Sequence, residues 1–214
     1  MKYDVALATS TYFGGLYGNV TDPDYRRTMF AALCRSLYWL EKGNLNVCWV
    51  IGDDCSPSGP PENLPVMIDT YVCTRTKNVG QPKNYMETVQ RACERADWVL
   101  VVDDDGEVAP DALERMFWLV DKYPKADCYG AFNSPYHQAV EVFDDHVLKQ
   151  SNPEHGRFFR SEWGGFGLTK ELVPVLRPSA IQHCGKYGLN GTADDYDTDF
   201  GRRTALSAGQ LSAH

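Results

Sequence analysis

Short apolar segments alternate with amphipathic ones along residues 1–132, and this alternation constrains the fold more than any other feature. Strands are predicted at 4–10, 45–54, 66–74, 97–102 and 126–132, and helices at 22–43, 81–96 and 109–123. Gly43 is expected to end the first helix, with Asp22 or Asp24 as its cap. The alternation is typical of an α/β fold with a mostly parallel central sheet that is covered by helices on both faces.

The pattern changes after residue 132. Antiparallel strands are predicted at 140–143 and 156–160, a short helix at 168–176 broken by Pro174, and a helix with an acidic start at 194–209. Because no flexible linker intervenes, we expect a single domain made of two halves, residues 1–132 and 133–214.

Charge and cysteine content exclude several classes of protein. The net charge of −8 disfavours a nucleic-acid-binding protein, which needs a basic face. The seven cysteines form no CxxC pair, which favours reduced thiols in the cytoplasm over a disulfide framework or a zinc site. No stretch reaches the about 20 apolar residues of a membrane-spanning helix.

Two acidic clusters, Asp53–Asp54 and Asp103–Asp105, each follow an apolar strand. The carboxyl ends of parallel strands meet at one edge of a sheet, where ligands bind. A single carboxylate would be enough to cap the next helix, and Pro110–Asp111 already provides the start of that helix. Three consecutive aspartates are therefore better explained by a bound cation such as Mg²⁺ or Mn²⁺. On an extended segment Asp103 and Asp105 would point to the same side.

An ordered set of segments resembles the family-2-like glycosyltransferases of the GT-A fold. The segments are "ALATSTY" (6–12), "WVIGDDCS" (49–56), "NVGQPKNY" (78–85), the DxD-like "VVDDDGEVAPDAL" (101–113), the glycine-rich "WGGFGLT" (163–169) and "YDTDFGRR" (196–203) followed by Gly209. The resemblance implies that 1–132 is the nucleotide-sugar-binding half and that 133–214 is the acceptor-side half.

The same resemblance implies roles for the donor-side residues. It places the nucleotide against Thr9, Ser10, Thr11, Asp53, Asp54, Asn78 and Lys83. Within the acidic triplet it assigns Asp104 to the ribose region and Asp105, with Asp103, to the metal. The alternatives are turn hydrogen bonds for the strand-end residues, a helix cap for Asn78 and a solvated position for Lys83, which we favour for that lysine.

On the acceptor side, the resemblance implies a loop of Trp163, Gly164, Gly165 and Phe166 beside the sugar. Glycine allows close backbone approach and the aromatic rings offer stacking faces, although a glycine-rich turn with core aromatics would look the same. Among the aspartates of 194–199, the resemblance favours Asp197 as the base. His214 is implied as an extra metal ligand, the alternative being a terminal residue without a role.

These implications together predict a metal-dependent enzyme that uses Mn²⁺ or Mg²⁺. It would move a sugar from a nucleotide-diphosphate-sugar donor, with uridine diphosphate as the assumed nucleotide, to a glycan or other hydroxyl acceptor with inversion. A nucleotidyltransferase that makes nucleotide sugars is one alternative, but the segment "STYFGGLYGNV" lacks the basic residues of its loop. A non-catalytic carbohydrate-binding module of the same fold is the other.

Overall fold

The computed structural model describes residues 2–14, 24–132, 139–144, 147–150, 156–165, 173–177 and 179–183. Three α-helices lie in these ranges, α1 (Tyr25–Tyr38), α2 (Gln81–Arg95) and α3 (Ala112–Lys122), together with a short 3-10 helix at Ser161–Trp163. The strands of the amino-terminal part are β1 (Tyr3–Thr11), β2 (Val47–Asp53), β3 (Asp69–Thr74), β4 (Ala96–Val101), β5 (Gly106–Val108) and β6 (Cys128–Gly130). Those that follow are β7 (Ala139–Asp144), β8 (Val147–Gln150), β9 (Arg157–Arg160), β10 (Val173–Leu176) and β11 (Ile181–His183).

Nine strands form one sheet in the order β3-β2-β1-β4-β9-β6-β10-β8-β7. Strands β3, β2, β1 and β4 run parallel, and β9 is antiparallel to its neighbours β4 and β6. The short strands β5 and β11 pair separately. The predicted α/β class, with a parallel sheet core and flanking helices, is confirmed, and antiparallel strands extend that core.

Helices cover both faces of the parallel core because alternate side chains of its strands point to opposite sides. Leu7 and Trp49 belong to the apolar cluster that contains buried residues of α1 and α3. Ala6 and Val50, next to them in sequence, belong to the cluster that contains Val89 of α2. The central residues of β1 and β2 are therefore mostly apolar, and most of the polar groups lie toward the strand ends.

Helix α2 lies unusually close to the carboxyl end of β2 at Gly52. A Cβ atom there would lie 1.8 Å from the Thr88 hydroxyl oxygen and 2.9 Å from Asn84 Oδ1. The Asn84 side-chain amide donates a hydrogen bond of 2.7 Å to the Gly52 carbonyl oxygen. Glycine is required for this approach, which fixes the start of α2 beside the edge where β1 and β2 end.

Two predicted elements differ from the structure. Helix α1 ends at Tyr38 and not at Gly43: the N–H groups of Trp39 and Leu40 bond three residues back, which tightens and closes the last turn. The helix predicted for 168–176 is wrong where the structure describes it, because Val173–Leu176 forms β10 between β6 and β8. Proline removes a helix N–H and β-branched valines favour strands, so "VPV" suits β10 better.

The remaining described residues bear on three further predictions. The strands predicted at 140–143 and 156–160 are present as β7 and β9. Across the described ranges, no helix has the length and apolar character needed to cross a membrane. The six cysteines within those ranges are free thiols. The helix predicted at 194–209 lies outside the described residues.

Candidate functional site

Both acidic clusters lie at the carboxyl edge of the parallel strands. Thr11 and Asp53 end β1 and β2 and are register partners, and the Asp54 N–H donates to the Thr11 carbonyl oxygen at 3.0 Å. Asp103 follows the end of β4, the neighbour of β1 on its other side. The edge therefore carries carboxylates from two strands that flank β1.

The acidic triplet forms a tight turn. The Gly106 N–H donates to the Asp103 carbonyl oxygen at 3.0 Å, with Asp104 and Asp105 at the two central positions. This is the geometry of a β-turn, in which glycine is favoured at the fourth position. The expectation of an extended segment is therefore wrong, and the placement of Asp103 and Asp105 on one side stays a prediction. Asp104 and Asp105 are buried, whereas Asp103 is partly exposed.

Arg26, in the first turn of α1, bridges the two buried carboxylates. Its Nη2 lies 2.8 Å from Asp104 Oδ1 and its Nη1 lies 3.2 Å from Asp105 Oδ2. The second oxygen of Asp104 accepts a hydrogen bond of 2.9 Å from the Thr11 hydroxyl. One guanidinium thus joins α1 to the turn after β4, and Thr11 ties that turn to β1.

The negative charge of this turn is only partly compensated. The pKa of Asp104 is raised to about 7, chiefly by burial and also by the charges of Asp105 and Asp103, although Arg26 and the Thr11 hydroxyl favour the ionised form. A carboxyl group that holds its proton up to neutral pH marks a place where additional positive charge would be stabilised.

The donor atoms of the turn are of the type that hard divalent cations prefer. In the part of the chain that the structure describes, no three histidine, cysteine or acidic side chains converge on a single metal position. Magnesium commonly binds through one or two carboxylates together with substrate phosphates. Two buried carboxylates side by side fit that mode, which does not need a third protein ligand within the described residues.

Asp53 and Asp54 hold the two loops that follow β2 and β3. Asp53 accepts hydrogen bonds from the hydroxyl and the N–H of Ser56. The Asp54 carboxylate accepts the N–H groups of Val79 at 2.8 Å and Gly80 at 2.9 Å. Both side chains are therefore engaged by the protein, and they shape the rim of the edge.

The other predicted donor-side residues differ in their contacts. The buried Thr9 hydroxyl accepts the Trp49 indole N–H at 2.9 Å, inside the core. Ser10 is partly exposed. Asn78 is exposed, and its side-chain oxygen accepts the Gly80 N–H at 3.1 Å. The exposed Lys83 has an ammonium group 3.9 Å from Glu87, as expected of a solvated position.

The described part of the glycine-rich loop packs against the core. The Trp163 ring meets Phe159 edge-on at 5.2 Å. Gly164 and Gly165 have φ angles of 74° and 71°, and a Cβ on Gly165 would lie 2.4 Å from the Phe159 ring. These glycines are required by backbone conformation and packing. Phe166, Asp197 and His214 lie outside the described residues.

Sequence reasoning missed the arginines at the start of α1. Arg27 lies 4.7 Å over the Phe13 ring and donates to the Ser58 and Gly59 carbonyl oxygens, which joins the loops after β1 and β2. Cations are disfavoured in the first turn of a helix, where the dipole is positive. Two arginines there, with no acidic residue in the same turn, are a sequence signal for nearby carboxylates.

A cavity of about 540 Å³ lies away from this edge. Its walls include residues at the starts of β1 and β4, the opposite ends of those strands, and Arg160 at the end of β9. Lys2 and Asp97 pair across it at 2.8 Å, and the Arg160 guanidinium stacks on Trp98 at 4.4 Å. The acidic turn is not part of its lining.

Comparison with protein families decides the identity of the fold that carries this edge. The family model described as glycosyl transferase family 2 matches residues 26–168. The chain belongs to this family. The matched range begins at Arg26 and contains both acidic clusters, so the family and enzyme class expected from the sequence are confirmed.

Solved structures of the same fold include a fragment of TarS from S. aureus, residues 1–349. It has a TM-score of 0.51 and 16% identity, over 74% of this chain and 47% of that one. The fragment in complex with UDP-GlcNAc gives the same TM-score and identity over 74% and 45%. At this identity the likeness shows the fold alone, and the family-2 chain spans about half the fragment's length. No curated protein matches the chain.

Replacing Asp54 should loosen the rim of this family-2 edge. Asp54→Ala leaves the Val79 and Gly80 N–H groups without their carboxylate, so we expect a loss of roughly 1–3 kcal/mol in the free energy of unfolding. Asp54→Asn keeps one acceptor and should lose less. Denaturant unfolding and hydrogen exchange at those two amides measure both effects. Lys83→Ala is the control; an equal loss there would contradict the role given to Asp54.

Proposed function

We propose that this chain transfers a sugar from a nucleotide-diphosphate-sugar donor to a hydroxyl acceptor, with a divalent cation and with inversion. The observation that carries the proposal is the buried Asp104–Asp105 pair at the carboxyl edge of a family-2 sheet, where its charge is only partly compensated. An acidic edge would repel a diphosphate unless a cation lay between them.

The donor would lie along the carboxyl ends of β1, β2 and β4. Asp53, Asp54 and Thr11 form the rim there, and Asp104 would contact the ribose region. The cation would be Mn²⁺ or Mg²⁺, held by Asp105 with Asp103 and His214 as further ligands. When bound, it would neutralise the charge that develops on the leaving diphosphate. The TarS fragment was solved with UDP and with UDP-GlcNAc, which supports a uridine nucleotide here.

The acceptor would approach from the side of residues 133–214, and the donor would be held by residues 1–132. Asp197 would take the proton of the attacking hydroxyl, since hydroxyl transfer needs a base beside the acceptor oxygen. Trp163 and Phe166, with Gly164 and Gly165, would border the sugar. Strand β9 belongs to the acceptor half yet lies between β4 and β6, which supports a single domain.

A panel of nucleotide sugars tests the transfer and its cation. We expect sugar release from one donor with Mn²⁺ present, and its loss with EDTA. Asp105→Asn should lower kcat/KM by roughly 10²-fold or more, because a metal supplies several kcal/mol of charge stabilisation. Asp97→Asn, an exposed aspartate at the other end of β4, is the matched control and should behave as wild type.

Other outcomes of the panel point elsewhere. Full activity in EDTA would contradict the role of the cation. Release of pyrophosphate from a nucleoside triphosphate and a sugar phosphate would indicate the nucleotidyltransferase alternative. Sugar binding with no turnover of any donor would indicate a carbohydrate-binding module.

The proposed base is tested separately. Asp197→Asn keeps the size of the side chain but removes the basic oxygen, so kcat should fall about 10²–10⁴-fold. Nucleotide affinity, measured by calorimetry, should stay within a few-fold of wild type, because the donor contacts lie in the other half. Asp195→Asn and Asp199→Asn are matched controls. A wild-type rate for Asp197→Asn would exclude it as the base.

A further inference from the structure

The Arg26 guanidinium contacts two buried carboxylates, Asp104 and Asp105, to which the proposed reaction assigns the ribose and the divalent cation. The side chain of Arg26 is 18% exposed, and those of Asp104 and Asp105 are each 5% exposed. The planar guanidinium presents paired N–H donors that match a carboxylate or a phosphate equally well. Arg26 can therefore exchange one kind of anion for the other without changing its own chemistry.

A divalent cation held by Asp105 would share that carboxylate with Arg26. Arg26 Nη1 lies 3.2 Å from Asp105 Oδ2, and Asp105 is the residue proposed to hold the divalent cation. Each cation draws on the same carboxylate charge, and like charges packed together in a buried site repel strongly. Asp105 holding a divalent cation would therefore weaken its contact with Arg26, and the guanidinium would then need another anion.

The donor brings that anion to the same place. If Asp105 held a divalent cation, a donor diphosphate bound at this edge would offer the guanidinium an anion in its place. The first turn of α1, which carries Arg26, also favours an anion over a cation. Transfer of Arg26 from carboxylate to phosphate leaves each charge in the site with a partner of opposite sign.

We propose, as an extension of the proposed function, that Arg26 binds the donor diphosphate and is exchanged onto it from Asp104 and Asp105 when the metal enters. Arg26 is then a donor-binding residue that also suppresses metal binding in the absence of nucleotide. Because coupling between two ligands is reciprocal, the metal strengthens nucleotide binding by the same factor as the nucleotide strengthens metal binding.

The test measures binding and not turnover. Mn²⁺ affinity is determined by electron paramagnetic resonance with and without uridine diphosphate, for wild type and for Arg26→Met. In wild type, the nucleotide should strengthen Mn²⁺ binding. In Arg26→Met, Mn²⁺ alone should bind roughly tenfold more tightly, and the enhancement by nucleotide should shrink by a similar factor. Arg35→Met, an exposed arginine on the same helix, should match wild type.

Arg26→Lys keeps a positive charge without the paired donors. It provides a second test of the proposal in case the methionine variant does not fold. It should give intermediate coupling, and circular dichroism establishes that each variant is folded. Unchanged coupling in folded Arg26 variants, with wild type binding both ligands, would overturn the role of Arg26 and leave the proposed function standing. Wild type that binds neither Mn²⁺ nor uridine diphosphate would overturn both.

Discussion

The bridge from Arg26 to Asp104 and Asp105 is the contact on which the candidate site depends. It joins the start of α1 to the turn after β4, and the Thr11 hydroxyl joins that turn to the end of β1. Without a cation between them, two buried carboxylates at adjacent positions would repel each other. Burial and the neighbouring carboxylates raise the pKa of Asp104, and the Arg26 guanidinium opposes this rise without removing it. An additional positive charge at this turn would therefore be stabilised by the two carboxylates.

The sheet supplies the rigidity that this charge arrangement needs. Strands β1, β2 and β4 are buried on both faces, so their ends are fixed relative to one another. Because Gly52 has no side chain, α2 can pack closely against β2. The Asn84 amide donates a hydrogen bond to the Gly52 carbonyl oxygen near the end of that strand. Asp54 then fixes the loop that leads into α2. Polar residues at the strand ends are positioned by apolar packing behind them, which is how a family-2 fold can present carboxylates at one edge.

The parallel core could be predicted from the sequence because its signals are local. Apolar runs such as 98–102 and the proline near the start of α2 suffice to identify strands and helices. Contacts between distant residues have no such signal: Arg26 meets Asp105 across 79 positions, and β5 pairs with β11, each strand having only three residues. The sequence predicts an extended acidic triplet, but the hydrogen bond from the Gly106 N–H closes it into a turn. It also predicts a helix around Pro174, whereas the valines on either side favour the observed strand.

The central claim is that the carboxyl edge of β1, β2 and β4 binds the donor nucleotide together with a divalent cation. Mapping of amide chemical shifts during titration with uridine diphosphate and Mg²⁺ tests it most directly. The account predicts that the largest changes fall at Thr11, Asp54, Asp104 and Gly106. It also predicts little change around Lys2, Asp97 and Arg160 at the opposite cavity. Changes confined to that cavity, or none at saturating nucleotide and metal, would contradict it.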